Sequence, residues 1–152
     1  LDNLIKNAEI LEVKVMFKTV LFPIDQSREA REAVEPVLNI VQQYKSKLIL
    51  LSVVETEATG EKPAQPGVMN SPEAVAKLLQ EAQAFFVSQG IQSEMIERSG
   101  MPAFTICDVA DEVNAELIVM GCRGLGLTDE GLHESVTYRV VNLSPCPVLV
   151  IP

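Results

Sequence analysis

Residues 48–54 read Leu48-Ile49-Leu50-Leu51-Ser52-Val53-Val54, between Lys47 and Glu55. A run this short, apolar at nearly every position, predicts a buried strand rather than an amphipathic helix. Apolar residues on both faces further imply a sheet covered on both sides. The same pattern recurs outward along the chain. Thr19-Val20-Leu21-Phe22 ends in Pro23, Leu117-Ile118-Val119-Met120 ends in Gly121, and Val148-Leu149-Val150-Ile151 lies near the carboxyl end. Residues 91–97 alternate imperfectly and predict a further strand nearer an edge.

The segments between these strands have helical spacing. Ser27 is a candidate N-cap, followed by Ala30, Val34, Val37, Val41 and Tyr44 on one face. Pro36 lies inside that helix and is expected to kink it, since an interior proline costs about 3 kcal/mol. Ser71-Pro72 gives a cap followed by proline at the first helical position. Val75, Leu78, Leu79, Ala82, Phe85 and Phe86 then form a stripe that stops at Gly90. Gly100 and Pro102 open a helix with Ala103, Ile106, Ala110 and Val113 inward, and Val136, Val140 and Leu143 mark the last one. Strands alternating with helices imply right-handed parallel βαβ units. The fold class is therefore α/β, with an open parallel sheet and helices on both faces.

The chain has 152 residues, 21 acidic and 12 basic, for a net charge of -9. Length and 47% hydrophobic content suit one domain with a core of its own. The acidity, with no basic run, excludes a protein that grips nucleic-acid phosphates or an anionic membrane. Cys107, Cys122 and Cys146 form no CxxC pair and suggest a reducing compartment. Without an apolar stretch of membrane-spanning length or a signal peptide, a cytoplasmic location is expected. Residues 1–15 sit apart, with Leu1, Leu4, Ala8, Leu11 and Val15 at helical steps before Met16 opens a second start-like stretch. Two readings stand for them: an upstream extension, or a short helix that docks on the domain or a partner. Residues 16–152 form the domain, and only 55–70 have loop-like composition of any length.

Open parallel sheets bind ligands beyond the carboxyl ends of their strands, where strand order reverses. That rule selects Pro23 to Ser27, Val53 to Glu55, and Gly121 to Gly124. Neither GxxxxGK[ST] nor GxGxxG is present, so the common phosphate loops are excluded.

The residues around these strand ends resemble the universal stress protein family. KTVLFPIDQSREA at 18–30 is similar to its first strand and aspartate, and ELIVMGCRG at 116–124 and SPCPVLVIP at 144–152 match in spacing and identity. The resemblance implies a five-stranded parallel sheet in the order 3-2-1-4-5. It also implies an adenine-nucleotide site using Pro23, Asp25, Val53, Met120, Gly121, Arg123 and Gly124, with Ser135 and Val136 toward the phosphates. ATP-binding members carry G-x-x-G, nine residues, then G-[ST]. Here Gly121 and Gly124 match, but Glu134 stands where the later glycine belongs, before Ser135.

That departure has a physical consequence. Two unit charges about 5 Å apart repel by roughly 3 kcal/mol at an effective dielectric near 20, on the order of a hundredfold in affinity. Asp129 and Glu130 add to the same segment. A divalent cation such as magnesium would offset the repulsion. Otherwise Glu134 serves its own helix N-terminus, worth roughly 0.3–1 kcal/mol.

Other candidates are weaker. Cys122 is either a reactive thiol or a small structural residue, and a lowered pKa would require a nearby positive charge or helix N-terminus. His133 has no partner at metal-ligand or catalytic-triad spacing, although Asp129, Glu130 and Glu134 offer oxygen ligands for a hard cation. The apolar strand 148–151 would lie at a sheet edge, and pairing with its twin predicts a homodimer.

The reading is thus a non-enzymatic regulatory or stress-tolerance binding module with a degenerate or weak adenine-nucleotide site. Its rival is a functional ATP-binding protein that uses magnesium and hydrolyses slowly. A flavin carrier is a third class, disfavoured by the absence of tryptophan and the scarcity of other aromatic residues.

Overall fold

The computed structural model describes residues 15–56, 68–122 and 135–152. The apolar run at 48–54 lies within strand β2, Lys47–Glu55. Its side chains divide by parity between two hydrophobic clusters. Leu48, Leu50 and Val54 enter one cluster with Val20, Phe22, Val37 and Phe86. Ile49, Leu51 and Val53 enter the other with Leu21, Ile106, Ile118 and Val140. A strand apolar at both parities is therefore one buried on both faces.

The sheet contains β1 (Thr19–Pro23), β2, β3 (Ser93–Gly100), β4 (Leu117–Gly121) and β5 (Val148–Ile151). All pairings are parallel, in the order β3-β2-β1-β4-β5. Helix α1 (Arg28–Tyr44) follows β1, a 3-10 turn at Val68–Asn70 and helix α2 (Pro72–Ser88) follow β2, and α3 (Pro102–Glu112) and α4 (Val136–Leu143) follow β3 and β4. Residues of α1 and α2 pack into the first cluster and residues of α3 and α4 into the second. Among the described residues no helix is long and apolar enough to cross a membrane.

Local chemistry sets the helix starts. The Ser27 hydroxyl accepts the Ala30 N–H at 3.1 Å, and Ser71 accepts that of Ala74 at 3.3 Å, so each satisfies a donor that the first helical turn leaves unpaired. Helix α1 passes through Pro36 and continues to Tyr44. Tertiary burial of Ala30, Ala33, Val37 and Val41 holds its inner face.

Three expectations need correction. The third strand begins at Ser93 rather than Ile91. The Ile91 N–H is taken by the Phe86 carbonyl at 2.8 Å and that of Gly90 by Val87 at 2.9 Å, a helix stop in which Gly90 has φ of 79°. Ile91 therefore closes α2 instead of opening β3. Second, Tyr44 and Phe85, on the apolar stripes of their helices, each remain 41% exposed; each meets a neighbouring ring edge-on, Phe17 at 5.1 Å and Phe86 at 5.4 Å. Third, of the α4 stripe only Val140 is buried, while Leu143 remains 49% exposed and Val136 36%. That short helix lies toward the β5 edge of the sheet, beyond which no further strand pairs among the described residues.

The two edges differ in chemistry. Strand β3 carries Glu94, Glu97 and Arg98, with ion pairs from Glu94 to Lys47 and from Arg98 to Glu112. Charges of this kind discourage edge-to-edge pairing. Strand β5 has no charged residue, and its Leu149 is exposed.

At the carboxyl end of the sheet, the Ile24 N–H donates to the Leu51 carbonyl at 2.8 Å. The hydroxyl of buried Ser52 donates to the Ile24 carbonyl at 2.9 Å. Replacing Ser52 by alanine leaves that buried acceptor unsatisfied, which costs about 1–3 kcal/mol. Urea unfolding of Ser52→Ala is expected to show that loss in midpoint with an unchanged slope.

Candidate functional site

The strand order reverses beside β1, whose neighbours are β2 and β4. A cavity of about 490 Å³ opens there, beyond the carboxyl ends of all three strands. Pro23 comes from β1, Leu51, Val53 and Glu55 from β2, and Met120 and Gly121 from β4. The starts of α1, α3 and α4 supply further walls, and Met69 of the 3-10 turn adds another. The volume lies in the range of small-molecule pockets.

Pro23, Val53, Met69, Ile106 and Met120 give this cavity apolar lining. Several of its polar lining groups are already engaged in local structure. Asp25 accepts the Ser27 N–H at 2.8 Å through Oδ1, an Asx-type turn that leads into α1. Its second oxygen is not used in that bond. Ser135 caps α4 by accepting the Tyr138 N–H at 3.3 Å. The Thr137 hydroxyl donates to the Gly121 carbonyl at 3.0 Å and ties the first turn of α4 to the end of β4.

Of the residues expected from the sequence, Pro23, Asp25, Val53, Met120, Gly121, Ser135 and Val136 all line this one cavity. Arg123, Gly124 and Glu134 lie outside the described residues, as do Asp129, Glu130 and His133 and all but the last of residues 1–15. Cys122 is half-buried, and its backbone N–H donates to the Ile151 carbonyl at 2.7 Å. Glu29, Met69, Ile106 and Thr137 line the cavity without having been singled out. They come from helix starts and a single 3-10 turn, so their convergence depends on tertiary packing rather than on strand-end position.

Gly121 has a role of its own in the packing. A Cβ at this position would run into the backbone carbonyl of Glu29, with the Glu29 Cβ close behind. The glycine therefore lets the first turn of α1 close onto the end of β4. This contact needs a missing side chain irrespective of any ligand.

A model of the universal stress protein family matches residues 16–152. The chain belongs to this family. It is 66% identical over 138 residues to universal stress protein Sll1654 of Synechocystis, covering 91% of the chain and 87% of that relative. Among solved structures, a universal stress protein in complex with cAMP is 26% identical with a TM-score of 0.72, over 90% of this chain and 97% of that one. Universal stress protein UspA from Lactobacillus plantarum is 27% identical with a TM-score of 0.69, over 90% and 99%.

The apolar lining can pack against an apolar group, and Asp25 offers an acceptor for a hydroxyl or amine. No Lys, Arg or His is among the described lining residues, whereas Asp25, Glu29 and Glu55 are.

Two further thiols lie on the α3–α4 side of the sheet. Burial pushes the Cys107 thiol up, with the Asp108 carboxylate and Cys146 adding to the effect. Burial also raises Cys146, against hydrogen bonds with Ser144 and the Ile118 backbone that act in the opposite direction. Unfolding lets both thiols ionise at lower pH, so stability is greatest below the unfolded thiol pKa and falls as pH rises through the folded value. The melting temperature is expected to fall as pH rises above the ordinary thiol range, about 8.5, and to fall less in the double variant Cys107→Ala/Cys146→Ala. For Gly121→Ala, chemical denaturation of the ligand-free protein is expected to show a loss of about 1–3 kcal/mol from overpacking.

Proposed function

We propose that this universal stress protein is a cytoplasmic regulatory or stress-tolerance binding module whose adenine-nucleotide site is weak at its phosphate end. The observation that carries this reading is the single cavity at the strand-order reversal, which gathers seven residues expected at such a site from the sequence. The related structure in complex with cAMP supports an adenine ligand, and one of low charge. The acidic lining and the Glu134 substitution support weak triphosphate binding. The role is exerted through contacts with partners rather than through turnover.

The protein acts as a homodimer through strand 148–151. The uncharged β5 edge and exposed Leu149 support this, in contrast to the charged β3 edge. Two such edges paired about a two-fold axis would satisfy both rows of backbone groups.

Calorimetric titration with ATP, ADP and AMP, with and without magnesium, tests the site. Binding of AMP with ATP distinctly weaker is expected, whereas micromolar ATP affinity in magnesium supports the rival reading. Light scattering at micromolar concentration is expected to give a dimer, and Leu149→Asp a folded monomer by circular dichroism. A monomeric native chain would overturn the dimer.

A further inference from the structure

Resting on the reading of the cavity as an adenine site, we propose that its mouth selects against ligand charge, so that the preferred ligand is an uncharged nucleoside. Glu29 and Glu55 are the residues that set this preference. Both line the cavity from opposite sides of β1: Glu29 in the first turn of α1, and Glu55 as the last residue of β2. The four ion pairs among the described residues are Arg28–Glu32, Lys47–Glu94, Lys77–Glu81 and Arg98–Glu112, so neither carboxylate is neutralised by one.

The remaining lining does not reverse this field. Its polar hydroxyls at Ser135 and Thr137 are engaged within α4 and with β4, and no described lining residue is cationic. Among the described residues no three His, Cys, Asp or Glu side chains converge to hold a metal ion. The two glutamates therefore surround the mouth without forming a cation site that would draw in a phosphate behind a metal. A nucleoside brings a flat base for the apolar lining and hydroxyls for Asp25, with no charge to oppose the glutamates. A mono-, di- or triphosphate meets progressively stronger like-charge repulsion.

Repulsion between partly solvated charges weakens as salt rises. This gives a signature that steric exclusion would not produce. Adenosine, AMP and ATP are titrated into the full chain at about 20 mM and about 300 mM salt, with and without magnesium. Adenosine is expected to bind at least about tenfold more tightly than ATP at low salt, a difference of about 1.4 kcal/mol. The gap is expected to narrow at high salt. In Glu29→Gln/Glu55→Gln, the ATP-to-adenosine affinity ratio is expected to rise about tenfold at low salt, with folding checked by thermal melting. The single variant Glu55→Gln, at the end of β2 and solvent-exposed, provides the same readout if the double variant melts early.

ATP binding as tight as adenosine to the unaltered chain at low salt without magnesium would overturn the proposal while leaving the adenine site intact. So would an affinity ratio unaffected by salt or by neutralising the glutamates. Absence of binding by every adenine compound would instead overturn the adenine-site reading, and this proposal with it.

Discussion

The carboxyl end of the sheet depends on how β1 stops. Ile24 gives its N–H to Leu51 and accepts the buried Ser52 hydroxyl on its carbonyl. Both of its backbone polar groups are thus satisfied by the neighbouring strand, and the chain is free to turn away from the ladder. The Asp25–Ser27 turn and the Ser27 cap follow directly, and α1 is launched across the sheet toward β4. Burying an unpaired carbonyl in this position would oppose the turn. Ser52, the polar interruption in an otherwise apolar strand, resolves that problem.

The fold was legible in the sequence because its strong signals are local and agree with one another. A strand buried on both faces cannot be disguised, and Ser27, Ser71-Pro72 and Gly90 act through bonds that span only a few residues. The inner face of α4 was not legible in the same way. Periodicity identifies which residues are apolar, but not whether the domain has enough surface to cover them; at the β5 edge it covers only Val140. The start of β3 was displaced by a helix stop that consumes Ile91, a competition between two local structures for one N–H.

The site was legible where it consists of strand ends. Pro23, Asp25, Val53 and Met120 follow from the topology once the parallel order is known. Met69 and Ile106 do not, because a single 3-10 turn and the far side of a helix turn carry no strand-end signature. Gly121 was found for a reason different from its structural one. Family resemblance places it in a ligand loop, whereas the fold requires it for the approach of α1. The acidity was visible from composition, but only the structure distributes it, with Asp25, Glu29 and Glu55 around one mouth.

Glu29 joins two kinds of information at a single residue. Its backbone lies against Gly121, where the packing of helix on strand leaves no latitude, while the residue also borders the cavity. The main chain there belongs to the architecture, while the residue adds a negative charge to the cavity lining. Under the proposed charge selection, exchange of that side chain would redirect what the protein recognises without disturbing how it is built. A lineage of such proteins would then have a route for changing its signal while keeping its scaffold, and the route would pass through the charge at this helix start rather than through the glycine beneath it.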